Sequence, residues 1–234
     1  MPFPNSPHNR FRSTETQAEQ NLFMFMAKPT PFQQTGFAEK WTAFEADCPY
    51  ASATDATASA LTEQVAVSDT LMLRAASDDD APAIRALFAL TQKEFGFDYD
   101  FNERESDLME IELHYGGKDA YMGVLWDIEN DTLAGTVALR RPDYDHTTLE
   151  PDPDCVELCR VYAYPEYRGK GLGRKLVTMM IEKARQMGYG RMVLESHSSL
   201  VDALRLYKRL GFCEIPPYTP DDPDYSDYAA ELRL

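Results

Sequence analysis

From Glu157 to Gly173 the chain reads Glu-Leu-Cys-Arg-Val-Tyr-Ala-Tyr-Pro-Glu-Tyr-Arg-Gly-Lys-Gly-Leu-Gly. An apolar run enters a loop dense in glycine and cation, which opens at once into an amphipathic helical pattern. Leu172, Leu176, Met180 and Ala184 recur along one face of that pattern. A helix start offers free backbone N–H groups and the positive end of the helix dipole, a ready seat for a phosphate group. Gly169, Gly171 and Gly173 let backbone approach such a ligand closely. Arg168, Lys170, Arg174 and Lys175 form a cationic island in a chain whose formal net charge is −16. The spacing fits neither a dinucleotide fingerprint, since position 174 is arginine, nor a P-loop. A phosphate site and an ordinary glycine-rich strand-to-helix turn are the two readings these residues leave open.

The elements that must position this loop are legible from residue 70 onward. Leu71–Ala75 reads as a strand. Asp78-Asp-Asp80 supplies caps and first-turn acids for a helix over Ala81–Phe95, and a second helix is expected over about Glu103–Tyr115. Ala120–Trp126 and Thr132–Leu139 form a hairpin around Glu129-Asn-Asp131, followed by a polar loop over Arg141–Asp154. Val156–Ala163 is a strand, Gly171–Met187 a helix and Met192–Glu195 a strand. The last helix spans Ser199–Leu210 and ends at Gly211, and Phe212–Ile215 and Tyr228–Leu234 close the chain as strands. Hairpins at both ends predict a mixed α/β sheet rather than a purely parallel one.

Residues 1–69 differ. Pro2, Pro4, Pro7, Pro29 and Pro31 and an Ala/Ser/Thr/Asp tract over Ala51–Ala60 predict a flexible extension, interrupted by short apolar clusters at Leu22–Met26 and Trp41–Phe44. The domain proper is expected over residues 70–234.

Two motifs carry a resemblance. Arg168-x-x-Gly171-x-Gly173, led in by Pro165-Glu-Tyr-Arg-Gly169, is similar to the signature loop of the GNAT superfamily of acyl-coenzyme A-dependent N-acyltransferases. Ala203-Leu-Arg-Leu-Tyr-Lys-Arg-Leu-Gly-Phe212 resembles that family's last helix and the strand after it. The likeness covers about Leu71–Leu234 and extends to a branch of small stand-alone members. It implies the GNAT fold, a mostly antiparallel mixed sheet of about six to seven strands flanked by about four helices.

The resemblance also implies acetyl-CoA as co-substrate, its pyrophosphate held by Arg168, Gly169, Lys170, Gly171, Leu172, Gly173 and Arg174. The strand before the loop, Val161-Tyr162-Ala163, would bulge open and give the amides of Val161 and Ala163 to the acyl carbonyl and pantetheine arm. Tyr207 falls where many members place the acid that protonates the departing thiolate, although an aromatic between Leu206 and Leu210 also reads as core. Glu157, eleven residues before Arg168, sits where some members carry a general base. Strand alternation would put it on one face with Cys159 and Val161, roughly 13 Å from the latter, so a water relay, or an amine reaching toward it, would be needed. Its alternative role is a structural pair with Arg160 or Arg140. Ser199 is read as a helix cap that could also touch pantetheine. His197 lies near the expected cleft. Leu200 stands where the family often has asparagine.

Composition narrows the function classes. The acidic balance argues against nucleic acid and suits amines. No apolar run approaches the ~20 residues of a membrane span. Cys48, Cys155, Cys159 and Cys213 form no metal or redox motif, and read as free thiols of a cytoplasmic protein. The expectation is direct transfer of acetyl from acetyl-CoA to a primary amine of a small molecule, without metal. A homodimer is compatible with the sequence. A non-catalytic acyl-CoA-binding module and an acetyltransferase for protein N-termini or lysines are the rivals.

Overall fold

A computed structural model describes residues 64–219 and 226–234. The apolar clusters at Leu22–Met26 and Trp41–Phe44, the Ala51–Ala60 tract and Cys48 lie outside the described residues, as does most of the loop before Ser226. The described residues form one eight-stranded mixed sheet in the order β1-β2-β3-β4-β5-β6-β8-β7. The strands are β1 (Val65–Ala66), β2 (Leu71–Ala75), β3 (Tyr121–Asp127), β4 (Thr132–Arg140), β5 (Cys155–Ala163), β6 (Arg191–Ser196), β7 (Cys213–Ile215) and β8 (Tyr228–Arg233). Four helices accompany them: α1 (Ala81–Phe95), α2 (Ile111–Tyr115), α3 (Leu172–Gln186) and α4 (Val201–Arg209). No helix among the described residues is long and apolar enough to cross a membrane.

Helices cover both faces of the sheet, which is why β4 is apolar nearly throughout and buried from Leu133 to Leu139. On one face, Ile84, Leu87 and Phe88 of α1 and Ile111 and Tyr115 of α2 pack on Met122, Val124 and Ala138. On the other, Leu172, Leu176, Val177, Met180 and Ala184 of α3 pack on Leu139, Val156, Leu158, Met192 and Leu194, with Tyr207 of α4 in the same cluster. Helix α1 starts where Asp80 accepts both Arg74 guanidinium nitrogens, at 2.7 and 2.8 Å, and the Ser77 amide at 2.9 Å. Left-handed Gly96 (φ 77°) ends it.

Three expectations change here. The helix expected over Glu103–Tyr115 is only a single 3-10 turn (Ser106–Leu108) followed by α2, because Glu105 and Asp107 turn inward and are buried beneath the sheet. The last helix starts at Val201 rather than Ser199. The extension is ordered at its end. Val65 and Ala66 pair with Leu73 and Met72, and Val67 is buried beside α3, its carbonyl accepting Lys175 Nζ at 2.9 Å.

Candidate active site

The centre of the molecule is a break in the sheet. Strands β5 and β6 form its parallel pair, but the pairing covers only Cys155, Val156 and Glu157 against Arg191, Met192 and Val193. Beyond Glu157 the two strands part, and β6 continues paired with β8 alone. A bulge on the other side of β5 exaggerates the opening. Ala138 is opposite Cys159 and Thr136 opposite Tyr162, so Arg160 and Val161 together face one residue of β4. Arg160 takes a positive φ of 54°. Its carbonyl accepts the Thr136 hydroxyl at 2.8 Å. Gly135 permits the close approach, since a Cβ there would sit 2.7 Å from the Tyr162 carbonyl oxygen.

The bulge decides which backbone groups are free. Tyr164 donates its amide to Ala134 on β4, at 3.1 Å. Backbone polar groups alternate in direction along a strand. The amide of Ala163 therefore points the other way, into the gap, and the Val161 amide, trans to an Arg160 carbonyl that is turned to Thr136, does the same. On that edge the Ala163 carbonyl accepts Arg168 Nε at 2.7 Å. The bulge also corrects the expected side-chain faces. Glu157 and Cys159 share a face, but the extra residue sends Val161 and Ala163 to the α3 side, while Tyr162 turns to the α1 side. There the Tyr162 ring meets Phe88 edge-on at 5.4 Å.

A buried ion cluster holds the bulge in place. Arg160 donates to Asp107 at 2.6 and 3.1 Å, with the Phe88 ring 5.2 Å from its guanidinium carbon, and Tyr115 donates its hydroxyl to the same carboxylate. Burial alone would raise the Asp107 carboxyl; Arg160, Tyr115 and Arg140 outweigh it and hold it below the ordinary aspartate range. Neither Asp107 nor Arg160 stands out in the sequence, because a separation of 53 positions hides the pairing.

The glycine-rich loop lies at the mouth of the gap. Gly169 and Gly171 adopt φ of 74° and 78°, and Gly171 caps α3, leaving the first-turn amides of Leu172, Gly173 and Arg174 without helical partners. Gly173 also serves packing, since a Cβ there would touch Leu206 of α4 at 3.3 Å. Arg168 braces the loop from within, joined to the Ala163 carbonyl and, at 2.7 Å, to Glu94 of α1. Lys170 and Arg174 are exposed and make no ion pair among the described residues, so two cations remain for a ligand.

The four polar candidates occupy separate surroundings. Tyr207 packs its ring against Phe212, centroids 5.7 Å apart, and burial pushes its phenol up to about 12. Glu157 is buried with both oxygens engaged, Oε2 by Arg140 Nε at 2.7 Å and Oε1 by the Tyr218 hydroxyl at 3.0 Å. Of the two structural partners expected for it, Arg140 is the one present, and Arg160 pairs with Asp107. Ser199 does not cap α4; its hydroxyl lies 2.7 Å from His197 Nδ1, and His197 stacks edge-on against Phe97 at 5.0 Å. Those ring contacts carry the α1–α2 loop across to the end of β6.

This arrangement, a sheet parted beside a glycine-capped helix, defines a class, and the comparisons agree. A family model described as the acetyltransferase (GNAT) family matches residues 84–212, more than half of the chain. An uncharacterized N-acetyltransferase of Schizosaccharomyces pombe is 36% identical over 126 residues, covering 54% of this chain and 72% of its own. A GNAT-family acetyltransferase from Staphylococcus aureus superposes with a TM-score of 0.60 at 18% identity, over 70% of this chain and 99% of that one. The yncA protein of Salmonella typhimurium, a putative acetyltransferase solved with its cofactor acetyl-CoA, gives 0.52 at 23% identity, over 71% and 95%. The chain belongs to the acetyltransferase (GNAT) family and is an acyltransferase.

Proposed function

We propose that this protein transfers the acetyl group of acetyl-CoA directly to the primary amine of a small molecule. The observation that carries the reading is the β5–β6 gap, with the Val161 and Ala163 amides aimed into it and the start of α3 at its mouth. Free amides of Leu172, Gly173 and Arg174, with Lys170 and Arg174 beside them, suit a pyrophosphate. The Val161 and Ala163 amides suit the pantetheine arm and the thioester carbonyl, whose oxygen gains negative charge as the amine attacks.

Transfer then needs a neutral amine, a stabilised oxyanion and a protonated leaving thiolate. The amine lone pair forms the C–N bond, the C–S bond breaks, the Tyr207 phenol gives its proton to the sulfur, and the N–H proton shed as the amide forms returns to the phenolate through solvent. Direct transfer is favoured over an acyl-cysteine because Cys159, next to the bulge, is pushed up to about 12 by burial and stays protonated. Free thiols at Cys155, Cys159 and Cys213 suit a reducing cytoplasm.

The test is mass spectrometry of a panel of amino acids, polyamines, arylalkylamines and short peptides incubated with the protein and acetyl-CoA. A mass gain of one acetyl on a small amine is the expected result. Acetylation confined to peptides would replace the acceptor class. Binding of acetyl-CoA with no product would make the protein an acyl-CoA-binding module.

A further inference from the structure

Glu195, near the end of β6, is the carboxylate that the sequence does not single out. Its Oε1 accepts the Tyr218 and Thr219 amides, each at 2.9 Å, and its Oε2 accepts the Thr219 hydroxyl at 2.6 Å. All three donors are neutral. Among the described residues Glu195 has no ion-pair partner, whereas the charge of Glu157 is matched by Arg140. A half-buried carboxylate held in place by neutral dipoles keeps its full charge available to an arriving cation.

Its position is as telling as its charge. The parallel register sets Glu157 level with Val193, so Glu195 is two residues further along, level with Cys159 and next to the bulge. Two strand residues place it about 7 Å further along the strand direction than Glu157, toward the level of the Val161 and Ala163 amides. Alternation from Val193, which packs with Cys155 and Tyr218, places it on the face away from α3, opposite the loop proposed for the pyrophosphate. The groups facing it are the Glu157 carboxylate on β5, with Arg140 behind, and the Tyr218 phenol; β8 contributes Ala229.

We infer that Glu195, rather than Glu157, receives the acceptor's ammonium at the end of β6 and takes its proton, directly or through one water. The inference rests on the acetyl-transfer reading above. The proton passes from R–NH₃⁺ to the Glu195 carboxylate and on to solvent, the freed lone pair attacks the thioester, and the second N–H proton, shed as the amide forms, replaces the one that the Tyr207 phenol gives to the departing thiolate. Burial is the main influence raising the Glu195 carboxyl above the ordinary glutamate value; the Thr219 and Tyr218 donors oppose it and the Glu157 charge adds to it. A raised carboxyl is a stronger proton acceptor near neutrality.

The experiment takes an acceptor found in the amine panel and compares the parent with Glu195→Gln, Glu157→Gln and Thr219→Val. Rates are measured from pH 6 to 10, melting temperature by calorimetry and acetyl-CoA affinity by titration. Glu195→Gln should lose roughly 10²–10⁴-fold in kcat at pH 7 with acetyl-CoA affinity unchanged, recovering as the pH nears the amine's own pKa. Glu157→Gln should chiefly lower the melting temperature. Thr219→Val removes one donor, so the acid limb of the rate profile should move to higher pH. Parental rates in Glu195→Gln, or an unmoved acid limb in Thr219→Val, overturn the inference while leaving acetyl transfer intact. A parent that binds acetyl-CoA yet acetylates nothing overturns the functional reading itself.

Discussion

At the residue scale, Tyr207 is where chemistry and packing are most tightly joined. Its ring fills the space between α4 and Phe212, while its hydroxyl is the only titratable proton of that ring. A phenol raised to about 12 is fully protonated at neutral pH, so the proton is present to be given. Tyr207→Phe preserves the ring and removes the proton. Turnover should then fall at least ~100-fold with acetyl-CoA affinity and melting temperature nearly unchanged. Parallel loss of stability and binding would instead mark a residue of the core. The motif alone could not separate these readings, because acid and core predict the same side chain at the same helical position.

At the scale of elements, the decisive object is the junction between the α1–α2 loop and β5. A β-bulge with an arginine at positive φ is strained, and Asp107 compensates by pairing with that arginine, whose side chain is only 4% exposed. Asp107→Asn would remove the carboxylate charge that faces the buried Arg160 guanidinium, at a cost of about 3–5 kcal/mol. The pH dependence has a definite sign. The Asp107 carboxyl is held below its unfolded value, so its stabilisation is complete above about pH 4 and is lost as the pH falls through the lower folded value. Acid unfolding followed by circular dichroism should show a steep loss below that point, and Asp107→Asn should flatten it. An unchanged acid transition in the variant would mean that other carboxylates control it.

For the whole molecule, the question is where the folded unit begins. The Val65–Ala66 ladder, the buried Val67 and the Lys175–Val67 bond make residues 65–67 part of the sheet and of the flank of α3. A chain truncated to begin at Gln64 should therefore melt and bind acetyl-CoA like the full-length protein. One beginning at Asp69 should melt roughly 3–10 °C lower, since it forfeits the burial of one valine and its neighbours. Equal melting of the two truncated chains would show that β1 contributes nothing.

The fold class, the order of strands and helices from Leu71 onward, and the glycine-rich loop that opens α3 were legible from the residues alone. All of these rest on local periodicity, glycine placement and motif spacing, which are properties of neighbouring residues. Sequence pattern read residues 64–67 as part of a flexible extension because a two-residue strand carries no period. It placed Val161 on the face of Glu157 because alternation holds only in an unbulged strand; the bulge at Arg160 depends on Asp107, 53 residues earlier. It singled out Glu157 over Glu195 because spacing to the loop was visible, whereas the partners of the two carboxylates were not. Arg140 reaches Glu157, and the Thr219 and Tyr218 amides reach Glu195, only once the sheet has formed. The tertiary structure alone decides which carboxylate is neutralised and which is left charged, because Coulomb energy and desolvation are set by distance and burial, and neither is written in the order of the residues.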